Sequence, residues 1–434
     1  MSLEFFLCIA SILMIAGTGI PIAFAILVGS IVYLAVGGQS MGIAGKVLMD
    51  GLYQSFILLA VPLFIVAANI MNAGTITDRL LRFCVAWVGR FRGGLGHVNV
   101  VASLIFSGMS GSAVADAAGI GKIIIDMMTR SGQYPRGYAA AITAASATIG
   151  PIIPPSIPMV LYALVSNASI GYLFLGGIIP GIFMGVVIMV MNAWLSSRRG
   201  FALEEPVPFK ELPRLTFNAV PALLMPVILL YGIYGGVTTP TEAAAVAAFY
   251  ALVLAAMFYR SLSLKKFYTI LVESARSSAA IGLVIGGALI LNYVVASENI
   301  PSRMAASLVG LEVSPIVFFL GVNLLLLLLG CLLDATTIIL VIIPLFLPTC
   351  TLLGIDLVHF GVVIVVNCMI GLITPPYGIL LFVINAVTNI PLGEIIREIW
   401  LFFAVLVAAL LVMIFVPDIV LWLPKQFGYA PLGS

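Results

Sequence analysis

Apolar residues run along this chain in long blocks rather than in alternation, with short clusters of glycine, proline and charge between them. Blocks of about 17 to 25 residues are what a helix needs to cross a bilayer. The pattern predicts helical elements near 3–18, 21–36, 40–53, 55–73, 97–128, 138–166 and 171–195, and again near 219–236, 241–259, 263–275, 278–297, 313–347, 357–388 and 399–423. Within this pattern TIGPIIPPSIP, Thr148 to Pro158, places four prolines and a glycine where a membrane helix is expected. Proline removes a backbone donor and clashes with the preceding turn, so no regular helix survives there. Unpaired backbone groups are costly in hydrocarbon, so the break must be enclosed by protein or line a cavity.

The break is not alone. IGLITPPYG, Ile370 to Gly378, repeats IGPIIPPS of Ile149 to Ser156 with Gly371 lying 221 residues after Gly150. Nearly the same offset pairs FSGMSGSA, Phe106 to Ala113, with LGCLLDAT, Leu329 to Thr336, and TGIPIAFA, Thr18 to Ala25, with TTPTEAAA, Thr238 to Ala245. Each half therefore reads as helices, an amphipathic segment, a re-entrant hairpin, a broken helix and a closing helix. The hairpins fall at 97–128 and 313–347, and the broken helices at 138–166 and 357–388. The expected organisation is a first repeat over 1–195, a charged, proline-bearing linker over 196–218, and a second repeat over 219–434. If each hairpin returns to the side it entered, each half crosses five times and the repeats are inverted. On that threading only Lys46, Arg303 and Lys425, of 19 basic residues, lie outside. Such asymmetry is what the positive-inside rule requires, with both termini outside.

Composition agrees. Hydrophobic residues make up 62% of the 434 and charged residues 8%, against about a quarter charged in a soluble domain. This is a polytopic all-α membrane protein with no room for a sizeable soluble domain. Its first residues, MSLEFFLCIASILMIA, lack the basic start of a cleavable signal and read as a retained helix. The cysteines, Cys8, Cys84, Cys331, Cys350 and Cys368, show no CxxC spacing, and no HExxH motif accompanies His97 and His359. GIGK, Gly119 to Lys122, lacks the flanking residues of a phosphate loop, so ATP hydrolysis is not supported.

Inverted repeats with interrupted helices near the midplane are a mark of secondary transporters, in which the breaks bind substrate and coupling ions. Candidate sodium ligands are Ser110, Gly111 and Ser112 at the first tip with Thr148, Gly150 and Pro151 at the first break. Gly330, Leu333 and Asp334 with Gly371 and Thr374 form the related set. Close helix packing by small residues is the competing explanation. The helices restarting from Ser112, Pro155, Asp334 and Pro376 would turn positive dipole ends toward a carboxylate, making Ser112, Asp116, Pro155, Ser156, Asp334 and Pro376 candidate substrate contacts. Asp116 and Asp334 are the deepest acids, and each also fits a helix-start role. Glu242, in Thr239-Pro240-Thr241-Glu242, reads as a capping box. Ser263 to Ser277 reads as an amphipathic brace along the interface.

The segments GMSGSAVADAAGIG, PIIPPSIP, TPTEAAAVAAFYAL, LLDATT and NCMIGLITPPYG resemble the large membrane (permease) subunit of tripartite ATP-independent periplasmic (TRAP) transporters, the DctM-like family, in order along essentially the whole chain. The resemblance implies an ion-transporter-like fold, an elevator-type motion and sodium-driven uptake of an organic acid across the bacterial inner membrane. It also implies a small four-helix membrane subunit and a periplasmic substrate-binding protein as partners, with ion sites at Ser110 to Ser112, Gly150, Gly330, Asp334, Gly371 and Thr374. No enzymatic activity, cofactor or nucleic-acid partner is expected; membrane lipid is. A sodium-coupled anion symporter acting alone is the close alternative, and a channel or a membrane-embedded enzyme the remoter ones.

Overall fold

The computed structural model describes residues 2–72, 75–201, 207–310 and 312–431. All regular elements among them are helical. The first half holds α1 (Leu3–Gly17), α2 (Ile22–Val36), α3 (Gly42–Gln54), α4 (Ala60–Asn72), α5 (Thr75–Val88), α6 (Gly94–Ser110), α7 (Ala113–Asp116), α8 (Lys122–Arg130), α9 (Arg136–Ala147), α10 (Ile157–Ser166) and α11 (Ile170–Arg199). The second half holds α12 (Leu212–Tyr234), α13 (Pro240–Val253), α14 (Leu264–Ser297), α15 (Ile300–Gly310), α16 (Pro315–Gly330), α17 (Ala335–Thr337), α18 (Ile343–Leu352), α19 (Leu357–Gly371), α20 (Ile379–Thr388), α21 (Leu392–Phe415) and α22 (Asp418–Gln426). Among the described residues six helical stretches are long and apolar enough to cross a membrane, or seven if α3 and α4, bent by 69°, count as one span. Shorter apolar helices form hairpin arms and the halves of broken helices.

Several boundaries differ from expectation for local reasons. The elements expected at 263–275 and 278–297 are one helix, α14, because Ser277, Ser278, Ala279 and Ala280 supply no breaker between them. In the first half the equivalent passage does break, at Ser55 and a 3-10 turn over Phe56–Leu59. The closing element expected at 399–423 is two helices, divided at Pro417. Helix also invades both ends of the expected linker, since α11 runs to Arg199 and α12 starts at Leu212; residues 202–206 of that linker lie outside the described residues. The helices α5 and α15 were not anticipated, because mixed polar and apolar positions hide them in a hydropathy reading.

The two halves pack reciprocally. Helix α2 lies on α14 while α4 lies on α13, so the second and third long elements of each half embrace those of the other. Each hairpin leans on its own broken helix, α6 on α9 and α16 on α19. Each closing helix then crosses to the other half, α21 onto α9 and α11 onto α19. Such exchange is what a two-fold relation between halves produces. Finer detail repeats as well: the second hairpin arms carry π-helical turns at Ala117–Gly121 and Ile338–Ile342, and the breaks carry cis Pro154–Pro155 and Pro375–Pro376 peptides.

Capping fixes several helix starts. Thr239 Oγ1 accepts from the Glu242 amide at 3.3 Å while Glu242 Oε2 accepts from the Thr239 amide at 2.7 Å, the capping box expected there. Past the end of α14, Glu298 accepts from the Ser2 amide at 3.1 Å, from Tyr33 Oη at 3.1 Å and from Ser2 Oγ. The Ser2 donors above all hold its carboxyl below the usual range, and they tie the N-terminus to the second half.

The two broken helices meet where Tyr162 of α10 lies on Gly361 of α19 and donates to the Leu357 carbonyl at 2.7 Å. A β-carbon on Gly361 would fall 2.2 Å from that ring. Gly361→Ala is therefore expected to lower the melting temperature in detergent, overpacking of this kind costing about 1–3 kcal/mol. Gly321→Ala on α16, where a β-carbon meets nothing within 4 Å, should leave it unchanged or raised; equal shifts for both would refute the contact.

Candidate functional site

Four helices end at the tips and breaks: α6 at Ser110, α9 at Ala147, α16 at Gly330 and α19 at Gly371. Four others begin across them, capped at Ser112, Ser156, Asp334 and Gly378. The last carbonyls and first amides of a helix have no partner within it. Each half thus gathers carbonyl oxygens and amide donors at one place, the arrangement through which interrupted helices hold cations and anions together. Because α10 starts at Ile157 and α20 at Ile379, Pro155 and Pro376 lie within the breaks and not at helix starts, which corrects their expected placement.

In the first half, tip and break touch through backbone. Gly111 has φ +58°, and a β-carbon on it would fall 2.5 Å from the Pro155 carbonyl oxygen. Ser110 Oγ donates to Asp116 Oδ1 and accepts from the Ser112 amide at 3.4 Å; Ser112 Oγ in turn accepts from the Ala115 amide at 3.4 Å. Asp116 Oδ2 is buried without a hydrogen-bond partner and would lie 2.5 Å from a β-carbon on Gly150. Asp116 therefore faces the first break, enclosed between tip and break. Thr148 Oγ1 donates to the Ala145 carbonyl at 2.6 Å, and Ser156 Oγ bonds the Pro151 carbonyl while accepting from the Met159 amide at 3.2 Å.

The second half reaches the same contact with glycine alone: a β-carbon on Gly371 would lie 2.8 to 3.0 Å from the backbone of Gly330. Asp334 caps the restarting helix, accepting from the Thr337 amide at 3.2 Å and Thr337 Oγ1 at 2.6 Å. Leu333 lies beside it, its amide bonded back to the Leu329 carbonyl at 2.8 Å, and Thr374 Oγ1 donates to the Ile370 carbonyl at 2.9 Å. Among the described residues no three His, Cys, Asp or Glu side chains gather as a metal cluster. The oxygens on offer are carbonyls, hydroxyls and one carboxylate per half.

The two sets are not equally covered. Met109 and Ser110 at the first tip are 1% and 3% exposed, and Pro151, Pro154, Pro155 and Ser156 are buried. At the second, Leu332 is 63% exposed, Tyr377 is 50% exposed and Pro376 is exposed too. Part of the cause is α12, which lies on α6: a β-carbon on Gly108 would meet Pro226 Cβ at 2.9 Å. Neither Pro226 nor Tyr377 was singled out in the sequence. A proline inside an apolar helix was a signal for the first; nothing marked the second.

The description "Tripartite ATP-independent periplasmic transporter, DctM component" belongs to a family that matches residues 7–419. The chain belongs to this family. It is 39% identical to the sialic acid TRAP transporter large permease protein of Vibrio cholerae, over 95% of this chain and 96% of that protein. It is also 39% identical to the C4-dicarboxylate TRAP transporter large permease protein of Pseudomonas aeruginosa, over 86% and 88%. Among solved structures the YdaH transporter of Alcanivorax borkumensis superposes with a TM-score of 0.63 at 17% identity, over 88% of this chain and 86% of that one, which is a likeness of fold. This TRAP large permease subunit is thus a multi-pass membrane transport protein, and its named relatives are permeases rather than enzymes.

Because Gly150 lies against the Asp116 carboxylate and Gly371 against the Gly330 backbone, Gly150→Ala and Gly371→Ala should each reduce reconstituted transport at least about ten-fold, the scale of a 1.4 kcal/mol misfit. Gly119→Ala, with nothing within 4 Å, should keep wild-type rates. Comparable rates for all three, at matched amounts of inserted protein, would contradict the tip-to-break contact.

Proposed function

We propose that this subunit performs sodium-coupled uptake of an organic acid anion across the bacterial inner membrane, working with a small membrane subunit and receiving substrate from a periplasmic binding protein. The observation that carries it is that two sets of related elements lie in unequal surroundings, one largely buried and one with an exposed tip and break. A channel has no use for that inequality. Alternating access requires it, since inverted repeats exchange conformations as the site faces one side and then the other. With positive charge inside, the first hairpin enters from the cytoplasm and the second from outside. The exposed second tip then looks toward the cytoplasm, and the arrangement reads as inward-open.

Sodium is assigned to the two oxygen sets, with Ser110, Gly111, Ser112, Thr148, Gly150 and Pro151 in one and Gly330, Leu333, Asp334, Gly371 and Thr374 in the other. The organic anion is assigned to the space between them, near Ser112, Ser156 and the exposed Pro376. The hairpins and broken helices travel as one bundle against a scaffold of α2, α4, α13 and α14. A bond across that boundary ends on a backbone carbonyl: Asn292 of α14 donates to Leu340 in the second π turn at 3.1 Å. A carbonyl recurs at every residue, so such bonds can re-form after a shift.

Sialic acid and a C4-dicarboxylate are the first probes, each supplied with a cognate binding protein to proteoliposomes holding this chain and its small subunit. Uptake is expected only with an inward sodium gradient, and undiminished uptake without sodium would overturn the coupling. Equal uptake without any binding protein would favour a symporter acting alone. In a background lacking the native cysteines, a disulfide between Gly108→Cys and Pro226→Cys should stop transport, with reduction restoring it. Full activity in completely crosslinked protein would show that the first tip does not leave α12.

A further inference from the structure

Two clasps of buried polar side chains lie behind the tips and breaks at matching places in the two halves. In the first, Asn99 of α6 donates through Nδ2 to Thr143 Oγ1 of α9 at 2.5 Å, and Ser146 Oγ donates to Asn99 Oδ1 at 3.0 Å. In the second, Asn367 of α19 donates through Nδ2 to Asn323 of α16, at 2.7 Å to Oδ1 and 2.8 Å to the carbonyl. Asn323 stands 224 residues after Asn99, and Asn367 the same distance after Thr143. The amide donor thus comes from the hairpin in one half and from the broken helix in the other. All five side chains are buried.

An amide inside an apolar helix bundle is costly unless its hydrogen bonds are met, and hydrogen-bonding side chains across membrane helices act as local glue. These bonds are specific to one register. Asn367 is flanked by Val363, Ile364, Val365 and Val366 on one side and Cys368 and Met369 on the other. A slide of one turn along α16 would set Phe319, Leu320, Leu326 or Leu327 opposite it in place of Asn323 and lose the side-chain bond, leaving only backbone to reach. The bond from the scaffold differs, since Asn292 of α14 donates to a backbone carbonyl alone.

We propose that Asn99 with Thr143 and Ser146, and Asn367 with Asn323, are positioning residues that lock each hairpin to its own broken helix in a single register. The tip then keeps its contact with the break while the bundle moves. This rests on the proposed moving bundle, but its test does not depend on transport. Each clasp governs its own half: the first sets the spacing of Gly111 and Pro155, the second that of Gly330 and Gly371.

Amide hydrogen exchange on the purified full chain reads this directly. Asn99→Leu should speed exchange about ten-fold or more over 106–116 and 148–153, while α4, α13 and the second tip stay at wild-type rates, because opening is local to one unit. Asn367→Leu should do the reverse, over 329–337 and 371–378. Thr143→Ser, which keeps a hydroxyl, should leave both regions protected. Unchanged exchange at tip and break in both leucine variants would overturn the proposal, and so would an equal rise across α4 and α13, which marks general loosening. If a leucine variant fails to insert, Thr143→Val and Ser146→Ala each remove one bond of the first clasp and carry the same comparison. In transport, Thr143→Val should raise the half-saturating sodium concentration about three-fold or more with maximal rate retained within about two-fold, as expected when site geometry and not the amount of protein has changed. An unchanged sodium half-saturation in a sodium-dependent wild type counts against the clasp. A wild type indifferent to sodium sinks the coupling reading, and the exchange comparison still decides the clasp.

Discussion

An interrupted helix inside a membrane exposes backbone donors and acceptors that hydrocarbon cannot satisfy, and this chain contains two such interruptions with two hairpin tips beside them. Most of the packing serves to enclose them. Each hairpin covers its own broken helix, each closing helix crosses to the other half, and glycine lets backbone meet backbone at the contacts. The same constraint explains why polar side chains cluster there. Ser110, Ser112, Ser156, Asp334 and Thr374 each bond a backbone group or a neighbour at the tips and breaks. A helix that ran straight through would need none of this.

Enclosure is closer on one side than on the other. Pro226 of α12 presses on Gly108 and helps to seal the first tip, whereas Leu332, Pro376 and Tyr377 leave the second open. Related elements in unequal settings are what repeats must show if they exchange roles during a cycle. The asymmetry also bears on the two carboxylates. Asp116, enclosed at the first tip, keeps one oxygen without a partner, while Asp334 spends its oxygens on capping Thr337. The halves are therefore related in backbone and unlike in chemistry, and so need not hold their ligands alike.

Proline and glycine made the breaks legible in the sequence, because no other residues punctuate an apolar run so strongly. The capping box at Thr239 and the helix-capping role of Asp334 were legible for a similar reason: a short polar residue before a helical run has few other uses. What escaped was either amphipathic or relational. Helices α5 and α15 carry too little hydropathy to stand out, and the continuity of α14 rests on the absence of a breaker at Ser277 and Ser278. The clasps at Asn99 and Asn367 are single amides in apolar runs, meaningful only once each partner is seen. The inequality of the two tips could not be read at all, since it depends on which helix covers which half and not on the residues of the tips.

The central claim is that hairpins and broken helices form one body that moves against a scaffold. Paired spin labels in reconstituted protein test it most directly. Labels at Phe24 and Phe249, exposed on α2 and α13, should give one distance with and without sodium and substrate. Labels at Phe249 and Leu328, exposed on α13 and α16, should give two distances whose populations shift on adding them. A single unshifted distance for the second pair, in protein shown to transport, would contradict the moving bundle and leave only local gating at the tips.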